Sequence, residues 1–169
     1  MRLRELRIED SDKMLEWMHD SEIQKNFQRP MQTYTKQDVE CFISKAQIKA
    51  QHGGMIHFAI VDEFDEYMGT ISLKNIDMNS GNAEFAISLR RVAQGRGIAY
   101  EATLEILRYA FESIGLNKVY LNVLADNERA WRLYEKCGFI YEGTFRKHLY
   151  CDGRYKDLKW YSILKDEFC

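Results

Sequence analysis

The sequence of 169 residues holds a single proline, Pro30, and no Gly/Ser-rich linker, low-complexity tract or internal repeat. A chain with so little to break it offers no evident hinge, so one domain spanning residues 1–169 is the expected organisation. Cysteine is sparse: Cys41, Cys137, Cys151 and Cys169 show no C-x-x-C spacing, and His19, His52, His57 and His148 fall at no metal-ligand interval. That argues against a metal site, and free thiols are expected because a chain of this length buries enough surface to fold without disulfide staples. An excess of one charge is also missing, since Lys and Arg number 24 against 26 Asp and Glu, for a formal net charge of −2. Nothing in that balance would draw the chain to nucleic acid. A composition 46% hydrophobic and 30% charged is that of a soluble globular domain rather than a membrane or disordered chain. The start Met1-Arg2-Leu3-Arg4-Glu5 carries charges where a secretory leader needs an apolar stretch, so a cytoplasmic protein without a membrane partner is expected.

What is present is a succession of clear periodicities. Met1 to Ile8 alternates as a strand does, and Glu9-Asp10-Ser11-Asp12 offers capping oxygens to a helix through Leu15, Trp17 and Met18. Residues 22–34 have no clean period and are expected to form a loop or broken helix over a site. Thr35 then opens an amphipathic helix marked by Val39, Phe42, Ile43, Ala46 and Ile48. Apolar runs at Ile56–Val61, Met68–Leu73 and Ala83–Leu89 read as an antiparallel meander. Beyond Gly97 the period changes to an i, i+4 ladder of Ile98, Ala102, Ile106, Ala110 and Ile114, a long core-facing helix ending near Gly115. A strand at Val119–Leu124, a helix at Asn127–Cys137 and a strand at Phe139–Phe145 follow. Asp152-Gly153 marks a final hairpin returning through Leu158, Trp160, Ser162 and Leu164. The order describes an α/β fold, a sheet with helices packed on it.

The segment Gln94-Gly95-Arg96-Gly97-Ile98-Ala99 sits where a strand gives way to a helix, so unpaired backbone N–H groups converge there on a point suited to phosphate. Arg90, Arg91 and Arg96 are candidate counter-charges, and the glycines remove side chains that would hold a pyrophosphate away. No Lys-Ser/Thr follows Gly97, and Tyr100 fills the third glycine position of a dinucleotide fingerprint, which takes most of the support from the nucleoside triphosphatase and dehydrogenase readings.

Gln94-x-x-Gly97-x-Ala99 resembles the Q/R-x-x-G-x-G/A signature of the GNAT superfamily of acyl-CoA-dependent N-acyltransferases. Asn127-x-x-Ala130-x-x-x-Tyr134-x-x-x-Gly138-Phe139 resembles that superfamily's second motif, in the expected order. The resemblance implies a mixed, mostly antiparallel sheet of about seven strands with helices on both faces. It implies acetyl-CoA as co-substrate, with pantetheine between the fourth and fifth strands and bonded to backbone at Ile87 and Leu89. Gln94, Gly95, Arg96, Gly97, Ile98, Ala99 and Asn127 are the further cofactor-binding candidates, with Asn127 otherwise read as a helix cap. Tyr134 becomes the candidate general acid for the departing thiolate, against the reading of a core tyrosine. Glu84 is the first choice as base, because a strand alternation that buries Phe85 turns Glu84 to the other side of the sheet.

The implied reaction is acetyl transfer to a primary amine of a protein N-terminus, an amino sugar or a polyamine, by direct attack in a ternary complex. A non-catalytic acyl-CoA-binding module with the same fold is the alternative. The acceptor side is expected in residues 19–34 and 146–155, where Phe27, Tyr150 and Tyr155 offer stacking and Arg29, Arg146, Lys147 and Arg154 offer charge. A homodimer through the closing strands is compatible with exposed sheet edges.

Overall fold

The computed structural model describes residues 1–46 and 53–168. Ile48, assigned above to the second amphipathic helix, lies outside the described residues, as do His52 and Cys169. Seven strands form one mixed sheet in the order β1-β2-β3-β4-β5-β7-β6. In chain order they are β1 (Arg2–Glu5), β2 (Ile56–Val61), β3 (Tyr67–Asp77), β4 (Asn82–Leu89), β5 (Lys118–Leu124), β6 (Ile140–Cys151) and β7 (Arg154–Leu164). Every neighbouring pair is antiparallel except β4 with β5.

Side chains alternate across the sheet and feed two separate cores. On one face Ile56, Ile60, Ile71, Leu73, Phe85 and Val119 pack against Ala102, Ile106 and Leu107 of α4 (Ile98–Arg108) and against Tyr134 and Cys137 at α5 (Glu128–Lys136). On the other, Ala59, Val61 and Tyr67 pack against Met14, Trp17 and Met18 of α1 (Ser11–His19) and Val39 and Ile43 of α3 (Lys36–Lys45). Each fully buried isoleucine or leucine in these layers contributes about 1.5–3 kcal/mol. Among the described residues the second core stops at β3, and no helix of theirs packs on the same face of β4 and β5. That uncovered strip becomes one side of the cleft described below.

Several local expectations change. The irregular stretch contains a short helix, α2 (Ser21–Gln24), capped by Asp20, whose carboxylate accepts from the N–H groups of Glu22 and Ile23. Asp10 does not cap α1 with its side chain. Its carboxylate is buried, bound by Arg4 at 2.8 Å on both oxygens, and it accepts the Arg7 amide at 2.9 Å. The long helix changes to π-helical geometry over Tyr109–Ile114 before Gly115, at φ 82°, ends it. The hairpin turn has φ 51° at Asp152 and 73° at Gly153, the left-handed pair that a two-residue turn demands.

Candidate active site

The one parallel pairing is short. β4 and β5 pair at Asn82 with Lys118, Ala83 with Val119 and Glu84 with Tyr120. Beyond that the strands diverge, and a cleft of about 1470 Å³ opens between Phe85–Leu89 and Leu121–Leu124. It runs from the start of α4 through the sheet to the space beneath α1, α3 and the residues that join α2 to α3.

At the α4 end, Gly95 and Gly97 have φ values of 76° and 79°, and Gly97 is the N-cap. A side chain would be strained in that backbone, although a Cβ at either position would meet nothing within 4 Å. Space inside the chain is therefore not what these glycines provide; a curled backbone facing the cleft is. Within the described residues the N–H groups of Gly95, Arg96, Gly97, Ile98 and Ala99 have no acceptor, so five successive donors meet the positive end of α4. Gln94 is held by Arg129, which donates to its side-chain oxygen at 2.9 Å.

The arginines correct the earlier reading. Arg90 is buried and bound to Glu16 at 2.7 Å, Glu66 at 2.8 Å and the Tyr67 carbonyl at 2.8 Å, so it stitches α1 to β3. Arg91 is bound twice by Asp20, at 2.8 and 2.6 Å. Neither is a free counter-charge. Arg96 is exposed and does not line the cleft through its side chain, whereas Arg129, Arg132 and Lys136 of α5 do line it.

α5 begins where the Asn127 side chain accepts the Ala130 amide at 3.3 Å, and Asn127 also lines the cleft, so both of its expected roles are geometrically compatible. About two turns later Tyr134 reaches the cleft wall, with Phe85 and Phe139 set edgewise against its ring at 5.7 and 5.9 Å. The Gly138-Phe139 step explains itself here, because the Phe139 amide bonds back to the Tyr134 carbonyl at 3.0 Å and its ring supports the tyrosine. The Tyr134 hydroxyl has no hydrogen-bond partner among the described residues, and burial holds its pKa above the ordinary tyrosine value. It is a protonated donor facing an open space.

Ile87 and Leu89 line the cleft and pack against the α4/α5 core, while Glu84 faces the other side as its alternation requires. Its carboxylate is ionically held: Lys74 Nζ lies 2.9 Å from one oxygen and Asn75 Nδ2 donates to the other at 2.8 Å. Beside it stands a pair that sequence reading passed over. His57 on β2 hydrogen-bonds Ser72 on β3 through Nδ1 at 2.7 Å and packs its ring on Phe42, with burial and the charge of Lys74 lowering its pKa to about 4. Gln28, from the segment between α2 and α3, donates to Asn122 on β5 and ties that segment across the cleft. The hairpin residues Arg146, Lys147, Tyr150, Arg154 and Tyr155 do not line this cleft.

A split parallel pair opening onto a run of free amides defines the class of acyl-CoA transferases that the resemblance implied. The chain belongs to the GNAT acetyltransferase family, whose domain model matches residues 1–140. Spermidine N(1)-acetyltransferase of Vibrio cholerae is 34% identical over 111 residues, covering 66% of this chain and 64% of that one. The uncharacterized N-acetyltransferase p20 of Bacillus licheniformis is 30% identical over 168 residues, covering 98% of this chain and 93% of that one. Among solved structures, the spermidine N-acetyltransferase of Vibrio cholerae in complex with CoA and spermine superimposes with a TM-score of 0.89 at 27% identity, over 99% of this chain and 96% of that one.

Proposed function

We propose that this chain transfers the acetyl group of acetyl-CoA to a primary amine by direct attack within a ternary complex. The observation that carries the reading is the split between β4 and β5, with the free amides of residues 95–99 at one end and the Tyr134 hydroxyl on its wall. The amides, with Gln94 and Asn127 beside them, would hold the pyrophosphate end of acetyl-CoA. Ile87 and Leu89 would offer backbone groups freed by the parted strands to the pantetheine arm. The names of the relatives and the CoA-bound solved structure support this assignment.

Chemistry then needs two proton transfers. Glu84, on the cleft wall, takes the proton of the acceptor amine directly or through water, and the nitrogen attacks the thioester carbon. The carbon–sulfur bond breaks, and the Tyr134 O–H donates its proton to the departing thiolate. Held amine and thioester gain most of their rate from proximity, and no covalent enzyme intermediate is called for. Spectrophotometric thiol release against peptides with free N-termini, polyamines and nucleotide-linked amino sugars tests the reading, with Tyr134→Phe alongside. Release with at least one acceptor is expected; CoA binding without release on any of them would favour a non-catalytic module.

A further inference from the structure

We infer that the acceptor is a monoamine on an apolar body, and that Lys74, ion-paired to Glu84 in the floor of the cleft, is the residue that selects against polycations. The inference rests on the acetyl-transfer reading and narrows the substrate of the same site.

A polyamine carries several ammonium groups and needs several uncommitted carboxylates to replace their water. Among the described residues the carboxylates on the cleft wall are those of Glu22, Asp38 and Glu84, and each is engaged within the chain. Glu22 is paired with Lys25 at 2.6 Å. Asp38 accepts from the amide and the hydroxyl of Thr35, at 2.8 and 2.7 Å, to cap α3. Glu84 is held on both oxygens by Lys74 and Asn75. Residues 47–52 have no Asp or Glu in their sequence with which to add another.

The cations on the same wall outnumber the carboxylates: Arg29, Lys74, Arg91, Arg129, Arg132 and Lys136 line it. Lys74 is one-third exposed at the side chain and carries its charge into the floor, where it contributes to keeping His57 neutral. Arg29 lines the cleft with no ion-pair partner among the described residues. A polycation would therefore meet like charge and find its counter-charges taken, which is selection by repulsion. A monoamine would need only a share of the one carboxylate, Glu84, beside Lys74 and Asn75, and would lay its body on Phe27, Met31 and Phe42.

The test compares kcat/KM for 2-phenylethylamine and for spermidine in the wild type, Lys74→Met and Lys74→Arg, with acetyl-CoA binding measured on each protein. Any change in Glu84 common to both acceptors cancels in the ratio. The wild type is expected to favour 2-phenylethylamine, Lys74→Met to move the ratio at least about tenfold toward spermidine, and Lys74→Arg to keep it within about twofold. A wild type that favours spermidine overturns the inference on its own, even if the Lys74→Met variant fails to fold. So does an unchanged ratio in a Lys74→Met variant that still binds acetyl-CoA. Thiol release with peptides or amino sugars but with neither of these amines overturns the monoamine assignment alone, whereas no release across the whole panel overturns the acetyl-transfer reading beneath it.

Discussion

The two ends of the cleft are built from different material. At the α4 end the donors are backbone amides presented by a positive-φ loop, and the residues that create them are consecutive. At the other end, where the proposed acceptor would enter, the groups are side chains drawn from β2, β3, β4 and the segment after α2, brought together by register: His57 opposite Ser72, and Lys74 opposite Glu84. A backbone-built site depends on conformation and tolerates many side chains, while a side-chain-built site can be rewritten one residue at a time. This predicts that a family would share the first end and vary the second.

Tyr134 lies on the cleft wall, and its removal should produce the largest effect. Tyr134→Phe keeps the ring against Phe85 and Phe139 and deletes a hydroxyl with no hydrogen-bond partner among the described residues. We expect kcat to fall about 10²-fold or more, in the range of lost general-acid catalysis, with KM for acetyl-CoA and the melting temperature almost unchanged. A core tyrosine without a chemical role would give the opposite pattern, with kcat retained.

Gly97→Val probes the backbone end. At φ 79° a β-branched residue is strained by roughly 1–3 kcal/mol, and the loop can relieve that strain only by turning its amides away from the cleft. KM for acetyl-CoA should rise about 5- to 100-fold, while the selectivity between acceptors stays put. Since a Cβ at Gly97 meets no atom of the chain within 4 Å, a melting temperature that collapses together with binding would mean that the loop is structural rather than ligand-directed.

How much was legible follows the same division. The helix ladder over Ile98, Ala102 and Ile106, the strand alternation that sets Glu84 opposite Phe85, and the Gly95–Gly97 turn are short-range patterns, and each reaches the structure as read. Arg90 and Arg91 were misread because their partners are distant: Arg90 joins Glu16 and Glu66, and Arg91 joins Asp20. Spacing along a chain carries no information about such pairings until the sheet order is known. The His57–Ser72 pair had a signal, a meander whose turns fix the register of β2 and β3, but that register has a bulge at Ile60/Val61 that no hydrophobic pattern announces.

The acceptor end should also announce itself in the pH dependence of stability. His57 is held near a pKa of about 4 in the folded state against 6.5 for the free side chain, because burial and the neighbouring Lys74 oppose its protonation. As pH falls below 6.5 the unfolded chain takes up a proton that the native one refuses, so the native state loses stability between pH 6.5 and 4. At pH 5 the loss attributable to His57 is about 1–2 kcal/mol, allowing for its partial exposure. Urea midpoints at pH 7 and pH 5 would read it, and His57→Gln should flatten the difference. The free amides of residues 95–99 do not titrate, so the α4 end should contribute nothing to this slope.

The smallest effect separates the ends most sharply. Gln28 donates to Asn122, which fastens the segment between α2 and α3 across the opening to β5. Both side chains are half-buried, so the bond's net contribution is about 0.5–1.5 kcal/mol, and losing it frees a segment rather than a core. Gln28→Ala should therefore raise KM for the acceptor about two- to tenfold, because the acceptor must then order the segment that the bond had already fixed. KM for acetyl-CoA should not change, since the amides of 95–99 and the wall at Ile87 and Leu89 lie on other elements. Asn122→Ala serves as the second arm: it removes the acceptor of the same bond from β5, and the double variant should cost no more than either single change if the bond is the shared cause. A rise in KM for acetyl-CoA equal to that for the acceptor would mean that the tie sets the width of the whole cleft, and the two ends would then be one mechanical unit rather than two independent surfaces.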